Sequence, residues 1–206
     1  MINKIYHIAD VHIRNVKRHK EYREVFKRLY SYIKKTKTDE DVIYVAGDIV
    51  HAKTDMSPEL IDITSEFFTN LADILPTIVI LGNHDCNLNN NFRLDALSPI
   101  VRAINHKNIH YLKDNGIYEV HGVHFNVMGV DEKPVNYIKA SDFEGDYKIA
   151  LHHGSVHNAS TDAGFTLSNT HVTTDIFAGH DLTLLGDIHK PQYLDHDKTI
   201  AYAGSL

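Results

Sequence analysis

Five short stretches end an apolar run in groups that can bind a cation or move a proton. IADVH supplies Asp10 and His12, and VAGDIVH supplies Asp48 and His51. LGNHD brings Asn83, His84 and Asp85, IALHHG brings His152 and His153, and LLGDIH brings Asp187 and His189. Gly, Asn and Asp belong to ordinary turn chemistry, but a turn has no use for His. One such pair reads as a bend; five in a single chain ask for a joint explanation. Residues two apart on an extended segment project the same way, so Asp10 and His12 could grip one ion together. Carboxylate, imidazole and amide oxygen suit Mn²⁺, Mg²⁺, Fe or Zn²⁺, and the lack of thiolates leans away from a structural zinc site. Two ions about 3.5–4 Å apart need a bridging carboxylate and can clamp the attacking and leaving oxygens of a phosphate ester.

Strands must deliver these groups. Tyr6–Ala9 reads as a short buried strand ending at Asp10, 41–48 as a second, and PTIVILGNHD as a third. Between them, Tyr22, Val25, Phe26, Leu29, Tyr30 and Ile33 recur at helical spacing from Arg18 to Lys35. Ser57-Pro58-Glu59 opens another helix with an N-cap, Pro at N1 and an acid in the first turn. Ser98-Pro99 starts a short helix to Ile104. Beyond Asn108 the pattern changes to strands at Ile109–Leu112, Ile117–Val120, Val123–Val130, Tyr147–Leu151, Leu182–Leu185, Gln192–Leu194 and Ile200–Ala203, with 157–170 a surface loop. A β-α-β-α-β front and a mainly β back predict an α/β fold, two packed mixed sheets flanked by helices. Strand C-terminal ends are where open α/β sheets form their ligand crevices.

The motifs Asp-x-His, Gly-Asp, Gly-Asn-His-Asp, a later His and Gly-x-x-His, in that order from Asp10 to His189, resemble the calcineurin-like metallophosphoesterase superfamily. AGDIVHAKTD, LDALSPI and LLGDIHKPQYL…IAYAGSL further resemble the SbcD-type nucleases, DNA-cutting partners of SbcC/Rad-type ATPases. The resemblance implies a four-layer α-β-β-α sandwich. It also implies two divalent ions, with Mn²⁺ expected. Asp10, His12 and His189 would hold the first ion and Asn83, His152 and Asp187 the second, with Asp48 bridging. His84 would face the scissile phosphate as catalytic residue, His51 would be a further phosphate-facing histidine, and Asp85 would orient His84 or a neighbouring ligand. The family's His-x-Gly pattern selects His152, with His153 the alternative. Asp187 stands where the superfamily usually has His; this keeps a ligand, adds negative charge and favours Mn²⁺ or Mg²⁺ over Zn²⁺. His180 in AGHDL is a decoy, because it lacks the second His and precedes its strand.

Composition is that of an ordinary soluble domain, with 43% hydrophobic and 23% charged residues and no apolar run long enough for a membrane helix. The start, MINKIYHIADVHIR, is broken by charge too early for a signal peptide, and a single Cys86 allows no internal disulfide. A cytoplasmic setting, prokaryotic or phage-infected, is expected. A net charge of −6 argues against coating nucleic acid non-specifically, yet ten of the 21 Lys and Arg lie between Arg14 and Lys37. Arg14, Lys17 and Arg18 are the candidate DNA contacts. The expected activity is cleavage of double-stranded ends and of single strands or hairpins, in break processing or phage recombination and replication. A phosphoesterase for small esters or cyclic nucleotides, and a non-catalytic scaffold of the same fold, are the alternatives. DNA, the ATPase subunit and a homodimer through the front helices are the expected partners. Because AYAGSL follows a strand directly, residues 1–206 are expected to be a truncated metallophosphoesterase domain, its capping and ATPase-binding regions outside it.

Overall fold

The computed structural model describes residues 2–90 and 92–206. Two sheets lie face to face. The first takes β1 (Ile5–Ile8), β2 (Val42–Val45), β3 (Thr77–Val79) and β4 (Ile109–Tyr111) in chain order, and every neighbouring pair is parallel. Its crossovers carry α1 (His19–Thr36), α2 (Pro58–Ala72) and α3 (Ser98–Ile104). The second sheet, ordered β5-β6-β7-β8-β10-β9, is mixed. It is built from β5 (Gly116–Val120), β6 (Val123–Met128), β7 (Lys148–His153), β8 (Leu182–Gly186), β9 (Gln192–Tyr193) and β10 (Ile200–Tyr202). Pairing is parallel across β6, β7, β8 and β10, and antiparallel at the two edges.

The pleat sorts the apolar residues into three layers. Ile43 and Val45 of β2 face the helices and meet Phe26, Phe67 and Leu71. Val42 and Tyr44, one residue out of phase, face the second sheet and meet Phe125, Ile149 and Leu151. On that sheet's far face Ala150, Leu185 and Tyr202 pack under Val156, Val172 and Phe177. The outer layer there consists of loops and 3-10 turns, among them Ala140–Asp142 and Thr174–Phe177, in place of α-helices.

Helix boundaries follow their local chemistry. Ser57 Oγ accepts from the Leu60 amide at 3.2 Å and Pro58 takes the first turn, so α2 starts where Ser-Pro-Glu predicts. α1 begins one residue later than expected, because Arg18 sits at φ 60 without a side-chain cap. Its buried Phe26 ring lies 4.5 Å from that of Phe67 on α2, a contact whose loss in Phe67→Ala would cost about 3–5 kcal/mol. Among the described residues no helix is long and apolar enough to cross a membrane.

Candidate metal centre

The loops that leave β1, β2, β3, β7 and β8 converge at one edge of the sandwich. Asp10 is wholly buried, and its carboxylate accepts the Asp187 amide at 3.1 and 3.2 Å. Asp48 Oδ1 takes the His84 amide at 2.8 Å and lies 3.3 Å from His153 Nε2, while Oδ2 is 3.6 Å from His12 Nε2. His12 Nε2 in turn stands 3.1 Å from His189 Nε2 and 4.0 Å from Asp10 Oδ1. Two groups of converging donors result, Asp10-His12-His189 and Asp10-Asp48-His153, with the atoms of each within 4.8 Å of one another. Asp10 belongs to both groups, and Asp48 reaches His12 as well as His153, so two carboxylates rather than one span the pair.

Backbone shape, more than the pleat, aims these side chains. Asp10, His12, Asp48 and Asp187 all lie at positive φ, at 52°, 49°, 52° and 96°. L-residues seldom adopt that region, and when they do it is often at functional sites that the surroundings over-determine. The Asp10–His12 convergence therefore comes from two left-handed residues after β1 has ended, and not from a shared strand face. Gly82 is obligatory for a different reason: a Cβ there would fall 2.1 Å from Asp48 Oδ1.

Asp85 is the tie between two of the loops. Fully buried, it accepts the amides of Ile49, Val50 and Gly82, each at 3.0 Å. Of its two expected duties, orienting His84 or a neighbouring ligand, these bonds match the second, since they fix the backbone beside Asp48 and Asn83. His84 Nδ1 instead meets the His51 carbonyl oxygen at 2.6 Å, and the two rings stack with centroids 5.7 Å apart. His12, His51 and His84 place ring nitrogens within 4.8 Å of one another beside the carboxylates. The cluster lines a cleft of about 500 Å³ whose walls include Tyr22 and Phe26 of α1, with Arg14 and Arg18 also lining it.

The sequence matches the calcineurin-like phosphoesterase (Metallophos) family over residues 3–191. The chain belongs to that family. It is 47% identical to protein R555 of Acanthamoeba polyphaga mimivirus over 218 aligned positions, which take in 100% of this chain and 16% of that protein. The crystal structure of Pseudomonas putida nuclease MPE is similar at a TM-score of 0.38 and 17% identity, over 78% of this chain and 65% of the other. The chain thus spans about a sixth of the viral relative's length and about two thirds of the nuclease's.

Calcineurin-like phosphoesterases bind divalent metals, and the donors of this one fit such ions. Asn83 Oδ1 sits 3.0 Å from His153 Nε2 and 3.2–3.3 Å from both Asp48 oxygens, an acceptor turned towards acceptors. Turning the amide over would satisfy Asp48; so would a cation between them. The buried carboxylates decide the fit. Among the described residues Asp10 and Asp48 have no Lys or Arg partner, only imidazoles. Buried charge without a fixed counter-ion is costly unless it is paired or coordinates a metal. Without an ion the His153 ring beside Asp48 supplies the counter-charge, and a bound cation would replace its proton. Burial, with the Asp48 charge beside it, pushes the Asp10 carboxyl up to about 6. Burial works against a charged His153, but Asp48, with Asp10 and Asp187 nearby, outweighs it and holds that ring up at about 9.

Several expected site residues are brought together and others are not. Asp10, His12, Asp48, Asn83, His84, His51 and His189 gather at the cleft or its floor. His152 does not. It lies on the outer face of β7, its Nδ1 2.9 Å from the Met128 carbonyl and its ring against Tyr137 and Phe177. His153 occupies the inner face, with Nδ1 2.6 Å from the Ala46 carbonyl. Ile149 and Leu151 pack inward and His153 continues their phase, while Ala150 on the other face is apolar too. Asp187 lines the cleft but is not in the converging groups: Oδ2 accepts Ser155 Oγ at 2.6 Å, and its amide donates to the Asp10 carboxylate. Lys17 is exposed and does not line the cleft. Sequence reasoning passed over Lys53, whose Nζ donates to the Asn83 carbonyl at 2.8 Å, although AGDIVHAKTD contained it.

Proposed function

We propose that this chain is the catalytic domain of a two-metal, Mn²⁺-dependent phosphodiesterase acting on DNA, of the SbcD type. One observation carries the reading: the carboxylate-imidazole cluster opens onto a cleft of about 500 Å³, far more than a phosphate group fills, with Arg14 and Arg18 lining it. Both ester groups of a diester have room beside the phosphorus, and the Arg14 guanidinium would meet a flanking phosphate, Arg18 being paired with Glu21. Asp10, Asp48, His12, His153, His189 and the Asn83 amide oxygen would hold the ions. Two bound divalent ions supply Lewis acidity to a phosphate ester and make water nucleophilic at neutral pH.

The remaining work falls to side chains. The His51 carbonyl can only accept, so His84 Nδ1 carries a hydrogen and donates it there. That leaves the other ring nitrogen, Nε2, for the cleft, where in the imidazolium form its N–H would stabilise the charge growing on a phosphate oxygen or pass its proton to the leaving oxygen. Burial, with the Arg14 charge nearby, holds His51 below its ordinary range, and its ring lines the cleft, where it would hydrogen-bond the phosphate. Asp85 acts from behind, fixing the loops that carry Asp48 and Asn83.

Break processing or replication in a viral or infected-cell setting, with an SbcC/Rad-type ATPase as partner, is the role we attach to the whole protein; the mimiviral relative supports the setting. Turnover of p-nitrophenyl phosphate, its bis ester and a labelled hairpin DNA, each with Mn²⁺, tests the activity. The bis ester and the hairpin are expected to be cut in preference to the monoester. Preference for the monoester would move the reading to a small-ester phosphatase.

A further inference from the structure

The charge on this chain is strongly polarised. Between Arg14 and Lys37 ten basic residues face only Glu21 and Glu24, so with a net charge of −6 overall the remainder carries −14. α1 concentrates this excess on its solvent side. Phe26 and Ile33 are buried against the core, whereas Arg28 and Lys35 lie on the opposite side and Lys20, Lys27 and Lys34 recur every seven residues along the flank next to them. All five are exposed, and none forms an ion pair among the described residues. Arg23 is spent on Asp62 and Glu66 of α2, and Arg18 on Glu21.

We infer that this solvent face of α1 is a track for the phosphate backbone of duplex DNA, leading to the cleft; the inference rests on the nuclease reading above. The helix starts at the cleft, where Arg14, Arg18 and Tyr22 form part of the lining, so the two rows of cations continue away from the reacting phosphate. Its 18 residues extend about 27 Å, the length of about eight base pairs. Charge complementarity selects a polyanion. The apolar side of α1 is already packed against the sandwich, which leaves Tyr32 exposed but no apolar face to insert into a bilayer and favours a nucleic acid over a lipid surface. The acidic remainder of the molecule repels a polyanion elsewhere and orients its approach.

The test is a variant carrying Lys27→Gln, Arg28→Gln, Lys34→Gln and Lys35→Gln, all exposed positions remote from the carboxylates, with glutamine retaining helix propensity. Binding to a labelled 30-base-pair duplex is followed from 50 to 200 mM salt, alongside turnover of the duplex and of bis-p-nitrophenyl phosphate. Expected are unchanged turnover of the small ester, at least tenfold weaker duplex binding at 100 mM salt, and a log–log salt slope shallower by about 2–3. A wild-type protein that cuts duplex, beside a variant with the same affinity and slope, would overturn the track while leaving the nuclease reading intact. Wild-type turnover of the small ester without any binding or cutting of DNA would overturn both. Wild-type binding to phosphatidylserine vesicles but not to duplex would assign the face to membranes and reject the track.

Discussion

His153 Nε2 lies 3.0 Å from Asn83 Oδ1, while the ring of its chain neighbour His152 points to the other side of β7. Two adjacent histidines thus have separable duties, one at the cluster and one in the outer core. His153→Ala should abolish most of the rise in Tm that Mn²⁺ produces and lower the metal content found by elemental analysis. His152→Ala should keep both, while lowering the metal-free Tm through lost packing against Tyr137 and Phe177. The reverse pattern would return the ligand role to His152.

His84 is expected to matter for turnover and not for ion retention, since its Nδ1 is engaged by the His51 carbonyl. His84→Ser should retain bound metal and lose on the order of 10²–10⁴ in kcat. Loss of metal in that variant, seen by elemental analysis, would count against the assignment.

Gly82→Ala tests how tightly the loops are set. Its methyl carbon would land 2.1 Å from Asp48 Oδ1 and 2.2 Å from the Asp48 amide nitrogen, backbone that cannot swing aside. A destabilisation of about 1–3 kcal/mol is expected by urea titration, together with loss of the Mn²⁺-induced rise in Tm. An unchanged Tm with full metal response would show that the loop can shift freely.

His7, on β1, gives a pH dependence remote from catalysis. Burial pushes its pKa down to about 4, and its Nε2 is buried without a partner beside the Tyr44 ring. As pH falls, the unfolded chain takes up this proton first, near the ordinary value of about 6.5. The contribution is therefore fully present above about 6.5, declines as pH drops towards about 4, and is flat below. His7→Phe should flatten the slope of unfolding free energy over that window in urea titrations at pH 4.5, 5.5 and 7. An identical slope in the variant would exclude His7 as its source.

Much of this was legible in the sequence. Apolar runs that stop at Gly-Asp or Gly-Asn-His-Asp announce strand ends, and the helical spacing from Tyr22 to Ile33 announces α1. What escaped depends on relations that residue types do not encode. Whether residue 152 or 153 faces inward is a matter of pleat phase, fixed by pairing of β7 with β6 and β8. The left-handed backbone at Asp10, His12 and Asp48 has only a weak signature in residue type, since Asp and His are merely enriched in that region; tertiary bonds fix it, such as the His12 amide to the Asp48 carbonyl at 2.9 Å. The Asp187 carboxylate accepts from Ser155, 32 residues earlier in the chain, a pairing that neither local sequence announces.

The single carboxylate of Asp85 grips amides on both sides of the crevice, those of Ile49 and Val50 on one loop and Gly82 on the other. A loop bearing Asp48 cannot then drift without dragging the one bearing Asn83. Were two cations to bind as proposed, a disturbance at one position would be felt at the other through this tie.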